Sequence, residues 1–509
     1  MEFSILFKEK EKELNELELP FFRDLKLDQI RDAIYISEND KYLIPYFNTP
    51  LDNLDDIKYR QDMFSECLAK KEFYTEIKYY FIHLYAIYNA YKENIEDNDT
   101  FVTKAKRLKI MDEYTKTLSE LDNFLKDKTF KSLALTRVKE WVNNYLNGEE
   151  FKKFQEAVKY AKGLMKGIEF SILFKGSEVF VDVIRTPLDD DFAPAVNNLC
   201  SIFDYPRDKK IASDVAFAPT NKVDEEIYNK LAKIFKKEFK AILEFFGSYK
   251  EFYNPFVLKL AKEMRFYFTY IAMMDKIKNS YLSFSIPFVS DSYDETSTDS
   301  FDLALAWKFN IEKRVIVTNS FDINTDKRIM VLTGPNQGGK TTFARQLGQV
   351  HYLAKLGVPV QGINNKIHLI DNIYTFFKTE ENLESLDGKL QIELNATKEI
   401  LDKATNDSLI LFNEIFASTT MVDGLDISNL ILNKINKMGS LCLFVTFLTD
   451  LTKRDDVMVL SSNVDPDNNE IRTFKITKTL LLGSAYPSSI QAKYGLTYEK
   501  IRKELDHED

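Results

Sequence analysis

The sequence predicts two fold classes in one chain: a large, mostly α-helical domain over residues 1–300 carrying a small β insert, then an α/β domain over residues 301–509. Three observations predict this. Up to about residue 300 the chain shows long helical periodicity in Lys, Glu, Leu, Phe and Tyr, with few Gly or Pro. The polar run Ser290–Ser300 (SDSYDETSTDS) then marks a change of texture and a domain boundary near 300. Beyond it, short β-rich runs alternate with helical spans, the βαβ pattern of an α/β domain. The 509 residues also exceed what one core of roughly 150 residues accommodates.

In chain order, Phe73–Glu93 reads as a long helix, because Phe73, Ile77, Tyr80, Phe81, Leu84 and Ile87 recur at three- and four-residue steps and form one apolar stripe. Ile168–Ile184 (IEFSILFKGSEVFVDVI) reads as two short strands around Lys175-Gly176-Ser177, the β insert. The heptapeptide EFSILFK occurs at Glu2–Lys8 and at Glu169–Lys175 with no repeat around either copy, which is coincidence or shared strand use. Lys230–Lys278 holds 11 basic and 5 acidic residues, a balance of +6, and reads first as the solvated face of long helices. In the second half the strand candidates are Lys313–Thr318, Arg328–Thr333, Ser408–Phe412, Leu441–Thr446, Val457–Ser461 and Ile471–Thr477. Helices are expected over Thr341–Leu356, Lys389–Ala404 and Gly424–Lys437.

Composition excludes several classes. With 44% hydrophobic and 29% charged residues and only 16 Gly and 13 Pro, the chain is neither disordered nor of low complexity. Apolar runs such as Phe266–Met274 and Leu441–Leu448 fall well short of the roughly 18 residues of a membrane span. Nor does the N-terminus contain a signal-peptide core, so a cytoplasmic protein is expected. Cys67, Cys200 and Cys442 are far apart, and His83, His351, His368 and His507 do not join them at zinc-ligand spacing. A net charge of -10 is not that of a protein that coats nucleic acid, so any DNA contact is local.

The strongest chemical signal is Gly334-Pro335-Asn336-Gln337-Gly338-Gly339-Lys340-Thr341, which fits G-x-x-x-x-G-K-[ST] between a predicted strand and a predicted helix. Glycines let the backbone turn tightly and aim N–H groups at phosphate oxygens, while the helix presents the positive end of its dipole. In that reading Lys340 reaches the β- and γ-phosphates, Thr341 ligates Mg2+ and Thr342 supports it. A nucleotide-binding domain of this kind needs a second element, an apolar strand ending in an acidic residue. Ser408–Phe412 meets that need, followed by Asn413 and Glu414, and is expected as a parallel strand beside the loop's own strand. Glu414 would handle Mg2+ and activate water, or it merely caps a strand. Asn413 stands where an aspartate is usual, which implies a weaker hold on Mg2+.

Residues 317–346 (VTNSFDINTDKRIMVLTGPNQGGKTTFARQ) resemble the MutS family of DNA mismatch-repair ATPases, whose loop reads T-G-P-N-M-G-G-K-S-T, with Asn336 after Pro335 as the family mark. Leu409–Gly424 (LILFNEIFASTTMVDG) resembles that family's strand, Asp-Glu and Thr-Ser-Thr-x-Asp-Gly segment, and Phe444-Val445-Thr446 its Phe-Ala-Thr-His. Pro50–Gln61 resembles the start of the family's core domain. The resemblance is strong for 300–495 and loose for 20–300.

It implies an ABC-type P-loop ATPase domain that binds ATP and Mg2+ and homodimerises, with a C-terminal dimerisation segment. The helical domain would serve as core and lever, with room for a reduced clamp at about 168–225 that grips DNA without sequence specificity. ATP state would control that grip, in DNA repair or recombination. The chain has no room for mismatch-reading and connector domains and no N-terminal Phe-x-Glu wedge, which argues against classical mismatch reading. Other departures are Asn413 for the family's Asp, Phe447 for its His, and Gly388 where a serine reaches the partner's phosphate. Lys389 would take that contact over, or is a solvated loop lysine. In the same register Ile316 and Asn319 fall near the base, though Ile316 equally suits the core. Two alternatives stand beside this reading: a nucleotide-gated, non-hydrolytic clamp or adaptor, and an ATPase acting on RNA, ribosomes or protein.

Overall fold

The computed structural model describes residues 3–9, 13–35, 38–96, 101–168, 170–175, 178–183, 222–279, 281–312, 314–377, 388–417, 419–465, 468 and 471–479. The chain divides into two compact units, Met1–Glu9 with Glu66–Phe268, and Lys10–Ser65 with Thr269–Asp509. The division falls inside the Leu54–Ala69 and Pro255–Ile277 helices. It does not fall near residue 300, where sequence texture changes.

The first unit is helical, as its periodicity predicts. Along Lys71–Glu96 the residues Phe73, Ile77, Phe81, Leu84 and Ile87 are buried and Tyr80 is half-buried, so the expected stripe is the packed face. It packs on Phe101–Lys126, where Phe73 stacks on Phe124 at 5.7 Å between centroids. The Leu133–Asn147 helix begins at Ser132, whose hydroxyl accepts the Leu135 N–H. Strands β1 (Phe170–Lys175) and β2 (Glu178–Val183) pair antiparallel, Lys175 facing Glu178, which is the predicted β insert. Most of the span proposed as a clamp, residues 184–221, lies outside the described residues, as do Gly176 and Ser177. Helices Lys222–Ile234 and Lys236–Ser248 bury Leu231, Phe239, Ile242, Phe245 and Phe246 and expose Lys230, Lys233, Lys236, Lys237 and Lys240. The two EFSILFK copies differ in structure: the second supplies β1, whereas Ser4–Phe7 is an irregular buried segment. There the Ser4 hydroxyl and the Ile5 N–H donate to the Glu263 carboxylate, and the Tyr267 hydroxyl donates to the Ile5 carbonyl.

The second unit is built on a six-stranded and a four-stranded sheet, with a further two-stranded pair. Its strands in chain order are β3 (Phe284–Ser285), β4 (Phe288–Ser290), β5 (Glu295–Ser300), β6 (Asn319–Ile323), β7 (Ile329–Thr333), β8 (Val360–Gln361), β9 (Ile363–His368), β10 (Ile373–Phe377), β11 (Leu409–Asn413), β12 (Leu441–Val445), β13 (Val457–Val464) and β14 (Arg472–Lys478). The larger sheet runs β10-β11-β12-β7-β13-β14, parallel except for the edge strand β14. Every residue of β7, β11 and β12 is buried, as expected for parallel strands covered on both faces. The Lys340–Lys355 helix is buried nearly all round and packs on β11 and β12. Helices Lys389–Lys403 and Met421–Met438 complete the alternation, the latter capped by the Thr420 hydroxyl at one end and a left-handed Gly439 at the other. The smaller sheet runs β4-β9-β5-β6.

One expectation is corrected here and one polar run proves structured. The run Lys313–Thr318 is not a strand: the described residues 314–318 are irregular, Val315 is 75% exposed, and the strand begins at Asn319. These apolar side chains line a cavity instead of a sheet face. The polar run Ser290–Ser300, read only as a change of texture, holds β5 in its second half, with Glu295, Ser297 and Ser300 buried. Hydrogen bonds to neighbouring strands and helices let those polar side chains enter the interior. No helix among the described residues is long and apolar enough to cross a membrane.

Candidate functional site

The strand β7 ends at Thr333, and the glycine loop that follows is shaped by β13. Gly334 has φ of 134°, and an added Cβ there would lie 2.8 Å from the Ser462 Cβ. At Gly338 the Cβ would lie 2.2 Å from Ser462 Oγ, which donates to the Gly338 carbonyl at 2.5 Å. Ser462 is thus the floor on which the loop rests, and only glycine fits above it. Gly339 is left-handed at φ 91° and opens the Lys340–Lys355 helix. Gln337 is left-handed too, at φ 60°. Pro335 is buried and its carbonyl accepts the Gly338 N–H, while Asn336 is exposed on the outer turn.

Lys340 has a side chain only 3% exposed. Its ammonium donates to the carbonyls of Gly334 (3.2 Å) and Pro335 (3.0 Å), lies 3.6 Å from the Glu414 carboxylate and sits 4.5 Å from the centre of the Phe447 ring. Burial holds its pKa below the usual lysine value, with Glu414 opposing and Arg472 adding to the depression. The Thr341 hydroxyl donates to the Asn413 carboxamide oxygen at 3.2 Å. The first N–H groups of a helix have no intrahelical acceptor, so this end of the Lys340–Lys355 helix offers donors as well as a cation.

Asn413 and Glu414 come from the end of β11, and β11 is not the neighbour of β7 that spacing suggested. Strand β12 lies between them. Its Val445 carbonyl accepts the Glu414 N–H at 2.9 Å, and the next N–H, of Thr446, donates to the Leu332 carbonyl at 3.0 Å. Glu414 itself has φ of 58°, a conformation uncommon in a residue with a side chain, and it turns its carboxylate toward Lys340.

A cavity of about 460 Å³ opens beside these groups, lined by the loop residues Gln337–Thr342 and Glu414 and by Leu305, Phe309, Arg314, Val315–Val317, Asn319 and Phe474. Its lining therefore combines cations and backbone donors with a set of apolar side chains. Such a combination fits a ligand with a phosphate chain and a flat apolar end. Ile316 and Asn319 both line it. The Asn319 carboxamide is already taken up by β14, donating to the Phe474 carbonyl and accepting the Ile476 N–H. Arg314 stacks on Phe309 at 4.1 Å.

Lys340, Thr341, Asn413 and Glu414 thus come together, with Thr342 on the cavity wall. Gly388 is exposed at the start of the Lys389–Lys403 helix, and the Lys389 side chain lies outside the described residues. The C-terminal part of the chain, where a dimerisation segment is expected, lies outside them from residue 480 onward. Sequence reasoning missed Ser462, signalled only by glycines that needed a close neighbour, and Glu393, whose carboxylate accepts the Phe416 N–H. Phe447 does more than remove a polar group, since its ring covers Lys340. Among the described residues no group of three or more His, Cys, Asp or Glu is placed to hold a metal, and Cys67 and Cys442 are buried free thiols. Cys200 and His507 lie outside the described residues.

Comparison with known proteins adds independent findings. The family described as MutS domain V matches residues 330–502, and that described as MutS2 N-terminal domain matches residues 52–280. The DNA mismatch repair protein MutS of Lactobacillus delbrueckii subsp. bulgaricus is 28% identical over 186 residues, 36% of this chain and 21% of that protein. The chain therefore spans about a fifth of the length of this curated relative.

Proposed function

We propose, from the premise that the chain belongs to the MutS family, that it is a Mg-dependent ATPase whose nucleotide state controls a grip on DNA. One observation carries the reading: Lys340, Thr341, Asn413 and Glu414 converge beside a single cavity from strands that are not neighbours. In this reading the domain is an ABC-type P-loop domain. Lys340 exchanges the Gly334 and Pro335 carbonyls and Glu414 for the β- and γ-phosphates, and the N–H groups after Gly338 hold phosphate oxygens. Thr341 and Asn413 would hold Mg2+, which supplies charge neutralisation at the phosphates, and Thr342 supports them. Glu414, beside the lysine and a quarter exposed, orients and deprotonates the attacking water.

The same reading carries a homodimer formed through the ATPase domain and a cytoplasmic setting. DNA would be gripped by non-specific phosphate contacts in repair or recombination, for which the exposed lysines at 230, 233, 236, 237 and 240 supply cationic charge. A second reading, a nucleotide-gated clamp that hydrolyses ATP negligibly, is favoured by the neutral Asn413 at the Thr341 hydroxyl and by Phe447 over Lys340.

Steady-state Mg-ATP turnover, with Lys340→Ala as the blank, tests both. Under the ATPase reading Glu414→Gln keeps ATP binding and loses at least tenfold in turnover, and branched or duplex DNA alters the rate. Tight ATP binding without turnover selects the clamp. No binding of either DNA at about 50 mM salt would remove DNA from the reading.

A further inference from the structure

Glu393 lies in the Lys389–Lys403 helix and is only 4% exposed. A carboxylate taken from water needs a partner. Its partner is the N–H of Phe416, 2.8 Å from Oε2. Phe416 is the second residue after Glu414, and both have left-handed backbones, with φ of 59° and 58°. Two such residues within three, neither of them glycine, persist only where the surroundings fix them. The fixing contacts are all present. The Glu414 N–H is held by the Val445 carbonyl, and the side chains of Ile415 and Phe416 are buried in the core under the large sheet. The Phe416 carbonyl lies where a Cβ on Gly424 would approach it to 3.3 Å. Of these contacts, Glu393 alone grips the strained segment with an ionisable side chain from another helix.

We infer that Glu393 is a positioning residue for Glu414: by holding the Phe416 N–H it fixes the left-handed exit of β11 that turns the Glu414 carboxylate toward Lys340. The inference rests on the ATPase reading above. Glu393 lies away from the cavity and touches neither loop nor lysine among the described contacts, so it acts only through the backbone of residues 414–416.

The test uses the full chain and compares Glu393→Ala with Glu393→Gln, which keeps an acceptor oxygen. Turnover, affinity for a fluorescent ATP analogue and the exchange rate of the Phe416 amide are measured on each. Expected for Glu393→Ala are a turnover at least tenfold lower, affinity within threefold of the unsubstituted chain and faster amide exchange. Glu393→Gln stays within threefold on all three. In a Glu414→Gln background, Glu393→Ala lowers residual turnover no further, because both changes remove the same function. Full turnover in Glu393→Ala, an equal loss in the Glu414→Gln background, or a loss of affinity as large as the loss of turnover would each overturn the assignment while leaving the ATPase reading intact. Turnover of the unsubstituted chain no greater than that of Lys340→Ala would instead sink the ATPase reading, and the reaction Glu393 is assigned to serve with it.

Discussion

The six-stranded and four-stranded sheets of the second unit are held together in opposite ways. The six-stranded sheet is apolar throughout its centre: Ile329–Leu332, Leu409–Phe412 and Leu441–Val445 are each no more than 1% exposed. The four-stranded sheet buries polar groups instead, with Glu295 and Ser300 at 0% and Ser297 at 1%. Partners across strands and on the Lys340–Lys355 helix hold them, although Glu295 Oε1 has no hydrogen-bond partner. Ser297 donates to Asn365 at 2.6 Å, Gln346 donates to Ser300 at 2.6 Å, and His351 meets Glu295 at 2.7 Å. The apolar sheet can end its strands in reactive groups because its interior asks nothing of them. The polar sheet has no such freedom, since Ser297, Ser300 and Glu295 Oε2 each depend on a specific partner. One helix serves both, opening with Lys340 at the first sheet and closing on the second through Gln346 and His351.

This contrast predicts different responses to substitution. Leu443→Ala, in the central strand of the apolar sheet between Leu411 and Met330, should cost about 4 kcal/mol. The cost should be the same at every pH in which the fold survives, and urea unfolding at two pH values would reveal a contrary trend. Glu295→Gln should cost about 3 kcal/mol near pH 6, because it strands a buried imidazolium. Burial depresses the His351 pKa, but the Glu295 carboxylate outweighs it and holds the value above 6.5. A raised folded pKa stabilises fully below the unfolded value and loses that stabilisation as pH climbs through the folded one. The gap between Glu295→Gln and the unsubstituted chain should therefore narrow above about pH 6.5. His368, held below 6.5 mainly by burial, works the other way and loses its contribution as pH falls below 6.5. A gap that stays flat with pH would mean that His351 is not charged in the folded chain. Ser297→Ala should cost least, about 1 kcal/mol, by leaving the Asn365 carbonyl short of a donor. A loss as large as that of Glu295→Gln would show that the network acts as one unit.

The same contrast explains what the sequence made legible. Apolar runs of five residues became β7, β11 and β12 within a residue of their expected bounds, because burial on both faces leaves an unbroken apolar signature. The glycine loop was legible from its motif, and Glu414 from its position after such a run. Strand β5 was not, since ETSTDS has the composition of a loop and its burial depends on partners up to 73 residues away. KRVIVT misled in the other direction, its apolar side chains lining a cavity rather than a sheet face. The two EFSILFK copies make the point within one chain, as identical residues form a strand in one place and an irregular segment tied to Glu263 in the other. Neighbouring order was illegible too: spacing along the chain placed β11 beside β7 and gave no hint of β12 between them.

That intervening strand has a consequence for the growing chain. Synthesis delivers the glycine loop first and Asn413-Glu414 some seventy residues later, but the strand that sets the distance between them emerges only with residues 441–445. A nascent chain halted before Val445 holds both halves of the site and no spacer to place them. Such a chain also lacks Ser462, the floor of the loop, and Phe474 of the cavity lining, so the site is complete only once β13 and β14 have left the ribosome.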